Sequence, residues 1–236
     1  MRKTTLNSLI LFAFAAFPAD VPGQTGGWLG GWGQPLIGEL STERTGRGGY
    51  YWDLLWDESG VAYLGRDQLW RWDGSVWKAL GPSDLRLVRA LCFDPEGRVW
   101  VGSYNALGVF DPDTQRYEPR MDLIPERFHG FGNLWSLHHD GSALWLGTDR
   151  QLFRIRGDDF RSWEFSGEHR ILFHFLPSGV YAHQVDRGIW KIRENGKDLV
   201  NDDPLVARQS VVFLEEQSSG HFLAVSGLGI FQLGVG

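Results

Sequence analysis

The chain has 236 residues and a formal net charge of −6; 42% of it is hydrophobic and 22% charged. That length can bury a sizeable core, as one large β domain or two small ones, and the acidic balance argues against a nucleic-acid binder, which carries a basic surface. Twelve Trp, 31 Gly and an aromatic share of 14% favour strands and tight turns over helix.

Residues 1–23 read as a secretory signal peptide. Arg2 and Lys3 supply a positive start, and Leu9 to Phe17 form an apolar run too short to span a bilayer. Small residues at Ala19 and Gly23 place cleavage near Ala19 to Gln24, and no Cys stands there to carry a lipid. The rest of the chain has no long apolar run, so no membrane span is predicted and a periplasmic or secreted location follows. Residues 24–49 form an N-terminal segment in which "PLIGELS" (35–41) is a candidate strand.

From residue 50 onward one unit repeats. The stretches "WDESGVAYLG", "FDPEGRVWVG", "HHDGSALWLG", "FLPSGVYAH" and "EQSSGHFLAV" align on Gly60, Gly97, Gly141, Gly179 and Gly220, at intervals of 37, 44, 38 and 41 residues. A period near 40 with strand-like content indicates a β-propeller blade. The predicted units cover about 50–84, 85–127, 128–168, 169–208 and 209–236.

The second unit shows the plan most clearly. "VRALCF" is a β-rich run, "DPEG" a turn closing on glycine, "RVWVGS" an alternating strand, "GVFD" a third strand and "QRYEP" an outer fourth. The first unit repeats it as "YYWDLLW", "VAYLG", "LWRWDG" and "SVWKAL". No segment keeps a helical period over eleven residues. Sandwich strands do not carry one motif every 40 residues, and β-helices repeat on a shorter period. The fold class is therefore an all-β propeller of four-stranded antiparallel blades.

The fifth unit stops at "GIFQLGVG", before an outer strand. Either 35–41 supplies that strand and closes a five-bladed ring, or the chain is the N-terminal part of a larger, for example seven-bladed, propeller.

"VRALCFDPEGRVWVGSYNALGVFDPDTQRYEP" resembles the two-component-regulator propeller repeat, with its aspartate turn, Trp-x-Gly element and following Gly and aromatic. "LWSLHHDGSALWLGTDRQLFRI" matches it again, and the likeness runs from about Gly27 to the end. It implies the extracytoplasmic sensor region of a bacterial hybrid two-component protein, taking a small polar ligand such as an oligosaccharide. It further implies a kinase-bearing polypeptide as partner or as missing downstream domains. Units four and five depart from the pattern, with "YAH" and "LAV" in place of Trp-x-Gly.

Little in the chain points to catalysis. Cys92, the single cysteine, lies in an apolar stretch and reads as buried and inert. His138 and His139 are adjacent in a strand and point to opposite faces, so they cannot grip one ion. His139 and His174 fall at near-equivalent places in neighbouring units, but no Cys or spaced carboxylate completes a metal set. No cofactor is expected. There is no Gly-x-Ser-x-Gly elbow, and the acidic pairs Asp57–Glu58, Asp158–Asp159 and Asp202–Asp203 sit in predicted turns. The alternatives are a propeller lyase or glycoside-cleaving enzyme using the central channel, and a protein-interaction scaffold.

Trp100, Trp145, Tyr63 and Tyr181 recur at one strand position and are expected between blades. Trp28, Trp32, Tyr104 and Trp163 lie off the pattern and are freer to stack on a ligand. Loops joining second to third strands, and unit to unit, gather on one face of a propeller. That places Arg66, Asp67, Tyr104, Asn105, Arg127, Asp149, Arg150 and His183 as candidate ligand-binding residues around one mouth.

Overall fold

The structure, a computed structural model, describes residues 50–82, 85–217 and 221–234. The expected signal peptide at 1–23, the candidate strand at 35–41, Trp28, Trp32 and Gly220 lie outside the described residues.

The repeat units fold as antiparallel meanders whose strands pair in chain order. Blade 1 holds β1 (Asp53–Trp56), β2 (Ala62–Gly65), β3 (Leu69–Trp72) and β4 (Trp77–Leu80). Blade 2 holds β5 (Ala90–Phe93), β6 (Val99–Ser103), β7 (Ala106–Asp111) and β8 (Arg116–Pro119). Blade 3 holds β9 (Ser136–His139), β10 (Leu144–Gly147), β11 (Gln151–Arg156) and β12 (Asp159–Glu164). Blade 4 holds β13 (Leu172–Leu176), β14 (Gly179–Gln184), β15 (Gly188–Arg193) and β16 (Gly196–Asn201). Among the described residues blade 5 has three strands, β17 (Phe213–Glu216), β18 (His221–Ser226) and β19 (Gly229–Gly234). The linkers add short turns: 3-10 turns at Met121–Leu123 and Glu126–Phe128, and one helical turn, α1 (Pro204–Ala207), capped by Asp203.

In blades 1 to 3 one aspartate builds the first hairpin. Asp94 Oδ1 accepts the amides of Glu96 and Arg98, which fixes the turn, while Oδ2 accepts the Trp100 indole N–H at 3.1 Å. Asp140 does the same in blade 3, taking the amides of Ser142 and Ala143 and the Trp145 indole at 2.8 Å. Burial alone would raise the Asp140 carboxyl, but the donors from Trp145, Ser142 and Ala143 bring it down to about 2. Asp57 caps the blade 1 turn through Ser59 and Val61, where Tyr63 replaces the indole.

The recurring aromatics are interior, as the repeat predicts. Tyr63, Trp100, Trp145 and Tyr181 are all buried, each in the apolar layer toward the following blade. Cys92 is buried too, and burial, with Asp53 and Asp94 near it, pushes its thiol well up. Polar links reinforce these layers. Arg154 of β11 reaches Glu194 of blade 4 at 2.7 Å, and the Trp163 indole donates to the Arg193 carbonyl. Trp163 is thus not free for a ligand: it is buried and stacked on Trp145 at 5.6 Å.

In blades 1 to 3 a glycine at or next to the end of the second strand makes room for its neighbours. A Cβ on Gly65 would sit 2.9 Å from the Val88 carbonyl, and one on Gly102 would sit 3.0 Å from Leu134 Cβ. Gly147 faces Ser136 and Phe173 in the same way. None of the three has a positive φ, so close approach is the reason for glycine there.

Candidate ligand site at the channel mouth

In blades 1 to 4 the loop between second and third strands is tied to the linker that enters the next blade. The Leu87 amide donates to the Asp67 carbonyl, Asn105 to Gly132, Ile171 to Asp149, and Asp186 to Ala207. Asn105 and Asp186 turn these loops with φ of 49° and 64°. Across blades 1 to 4 this face is therefore a rim of hydrogen-bonded loops.

Side chains converge inside the rim at the residues that enter the inner strands. The amides of Trp52, Arg89 and Trp135 bond to Gly65, Gly102 and Gly147 respectively, so these three occupy equivalent positions in blades 1, 2 and 3. The Trp52 and Trp135 rings lie 5.6 Å apart, edge to face, although their blades are not neighbours. Blades 1 and 3 can touch only near the propeller axis. The Arg89 guanidinium rests against both rings, at 4.4 and 4.5 Å from their centroids. Arg170, from the entry to blade 4, lies 4.4 Å from the Trp135 centroid.

Asp149 organises this cluster. Its Oδ1 accepts the Trp135 indole N–H at 2.6 Å, and its Oδ2 accepts Asn133 Nδ2 at 3.4 Å. Desolvation lowers the pKa of Arg89, opposed by the Asp149 charge; Arg170 is lowered likewise by burial, with Arg89 adding to the effect. Two arginines around one carboxylate make this spot locally positive in an acidic chain.

Of the residues expected at the mouth, Asp149, Asn105 and Tyr104 are brought together. Asn105 Oδ1 takes the Gly132 amide at 2.6 Å, and Tyr104 bridges to Asn133, whose side chain reaches Asp149. Tyr104 is exposed, as are Tyr50 and Tyr51 beside Trp52. Asp67 stays on the rim, accepting the Trp70 indole N–H at 3.0 Å, and Arg150 is exposed there.

Three expectations need correcting. Arg66 is 3% exposed and packs over Tyr51 and Trp70, so it supports the rim from beneath. Arg127 is exposed but lies over Phe128, whose ring packs on Phe153 and Phe160 of blade 3, outside the mouth cluster. His183 is fully buried. It stands where blades 1 to 3 have their close-approach glycine, and its ring meets the Val206 carbonyl and the Val211 amide instead. The linker carrying α1 bends around it, which explains the departure of unit four from the pattern.

The other histidines are spread out. His138 stacks on Phe175 at 4.7 Å, His139 accepts the Gly141 amide of its own hairpin, and His174 is buried near His183. Among the described residues no group of three or more His, Cys, Asp or Glu is placed to hold a metal ion.

Trp52, Arg89, Trp135 and Arg170 were not singled out from the sequence. A signal exists: Trp52 and Arg89 both stand eight residues before the unit glycine. In unit three the turn is shorter, so Trp135 falls six before Gly141 and the equivalence is hidden.

No protein-family model matches the chain, and no curated protein matches it. Solved structures do. One is the extracellular domain of a protein assigned as a one-component system in B. thetaiotaomicron, with TM-score 0.61, 16% identity, and coverage of 78% of this chain and 26% of that one. Another is the extracellular domain of a hybrid two-component system from the same organism, with TM-score 0.58, 16% identity and coverage of 84% and 29%. A third is virginiamycin B lyase from Staphylococcus aureus, with TM-score 0.57, 11% identity and coverage of 79% and 70%. The chain spans about a quarter of the length of the first of these. At such identities the likeness establishes the fold, a blade-type β-propeller.

Proposed function

We propose that the chain is the ligand-sensing, extracytoplasmic propeller portion of a two-component-type signalling protein. It binds a small polar ligand such as an oligosaccharide at the mouth and catalyses nothing itself. The observation that carries this is the convergence of Trp52, Arg89, Trp135 and Arg170, from four blades, inside a rim bearing exposed Tyr50 and Tyr104. Planar polar donors next to exposed aromatic rings suit the edges and faces of a sugar. A site shared by four blades also couples occupancy to the relative seating of those blades, which is what a sensor needs. The fold shared with extracellular domains of signalling systems supports the reading by analogy only. In this reading the output belongs to a kinase-bearing polypeptide.

The test is calorimetric titration of the purified chain with a panel of neutral and acidic oligosaccharides, alongside product analysis of the same mixtures. Saturable binding without turnover, weakened by Tyr104→Ala, is expected. Turnover of a panel member would favour the enzyme alternative, for which the lyase is a precedent of fold. Absence of binding across the panel would overturn the ligand class.

A further inference from the structure

The mouth holds a guanidinium placed for recognition rather than for an internal ion pair. Several arginines elsewhere are paired with carboxylates: Arg98 with Asp94 at 2.8 Å, Arg154 with Asp159 and Glu194 at 2.7 Å, and Arg193 with Asp198 at 2.7 Å. Arg89 differs in that, among the described residues, no carboxylate stands at ion-pair distance from it; Asp149 acts on it only as a charge at a distance, and its enclosed Nε, like that of Arg71 and Arg154, has no hydrogen-bond partner. Asp149 spends its short hydrogen bond on the Trp135 indole.

Two indoles hold the Arg89 side chain in one orientation, so little rotamer entropy is left to lose when it binds. The two rings are 5.6 Å apart and inclined at 65°, so they brace the guanidinium from adjacent sides and do not enclose it. A fork of in-plane N–H donors matches two oxygens of one carboxylate. Arg170, on the same Trp135 ring, adds a second positive charge close by. The half-buried setting of Arg89 leaves the guanidinium accessible while reducing its hydration, which strengthens its pull on an anion.

We propose that the ligand of this mouth carries a carboxylate, and that Arg89, braced by Trp52 and Trp135, is the residue that reads it. This rests on the mouth being a ligand site, and it narrows the class from polar saccharides to acidic ones. A uronate-bearing oligosaccharide and a simple organic acid share the recognised group. The exposed Tyr50 and Tyr104 rings favour the sugar, because they offer faces for a pyranose beside the acid-reading fork.

The experiment is calorimetric titration of the chain with trigalacturonate, with galactotriose as the neutral match and with citrate as the simple acid. It is repeated for Arg89→Gln and Arg89→Lys, with thermal unfolding as the folding control. Trigalacturonate is expected to bind most tightly and to weaken with added salt. Arg89→Gln is expected to weaken trigalacturonate about tenfold or more while leaving galactotriose unchanged. Arg89→Lys, which keeps the charge and loses the fork, should fall between.

Galactotriose binding as tightly as trigalacturonate would overturn the acidic class while leaving the mouth a sugar site. Equal weakening of both sugars by Arg89→Gln would make Arg89 a staple between blades and overturn its reading role. Citrate binding more tightly than trigalacturonate would support the carboxylate and overturn the sugar. No binding of any probe to a folded chain would sink the ligand site and this inference together.

Discussion

Asp94→Asn tests whether one aspartate builds both the hairpin and the blade interface. Asparagine keeps Oδ1 for the Glu96 and Arg98 amides, so the turn survives. It replaces Oδ2 with an amide nitrogen that faces two donors, the Trp100 indole N–H and Arg98 Nε at 3.1 and 2.8 Å. Trp100 is buried, so its N–H is left without an acceptor, at a cost of roughly 1–3 kcal/mol. The Arg98 bond is partly exposed and adds about 0.5 kcal/mol. A total of roughly 1.5–3.5 kcal/mol should lower Tm by about 3–14 °C for a domain of this size.

Asp57→Asn is the internal control. Asp57 binds Ser59 and Val61 through Oδ1 alone, and Tyr63 offers no indole, so its loss should stay below about 1 kcal/mol. Urea unfolding of both variants, and of Asp94→Asn in a Trp100→Phe background, measures the coupling directly. Equal losses for the two aspartates, or no coupling to Trp100, would refute the reasoning.

Two buried ionisable groups shape stability in opposite directions. Burial, against amide bonds from Leu91 and Leu54, raises Asp53 to about 6. The folded chain therefore holds that proton longer than the unfolded one, and stability falls as pH rises from about 4 to 6; Asp53→Asn should remove this fall in urea titrations across that range. Burial, with His183 near it, lowers His174 to about 4. Here stability is full above about 6.5 and is lost as pH falls toward 4, so His174→Phe should flatten that acid limb by the same measurement. Gly65→Ala should cost about 1–3 kcal/mol by thermal unfolding, because its Cβ meets the Val88 backbone; a neutral outcome would refute the close-approach role.

How much could be read beforehand follows from the range of each interaction. The 40-residue period, the Asp-to-Gly turns and the Trp position are local, so they repeat in the sequence; they marked out the four-stranded blade, and in units one and two its individual strands. The placing of Tyr104, Asn105 and Asp149 on one rim followed from that topology. Arg66 and His183 looked equally suitable because the sequence shows that a residue lies in a loop but not which way its side chain turns. Only packing does that, and it put Arg66 under Trp70 and His183 beneath the α1 linker. The core of the mouth was not legible for a further reason. Trp52, Arg89, Trp135 and Arg170 come from four units and together span more than 100 residues. They meet only because the blades are wound about one axis, so by itself the sequence determined the blade, and the tertiary structure decided what stands at its centre.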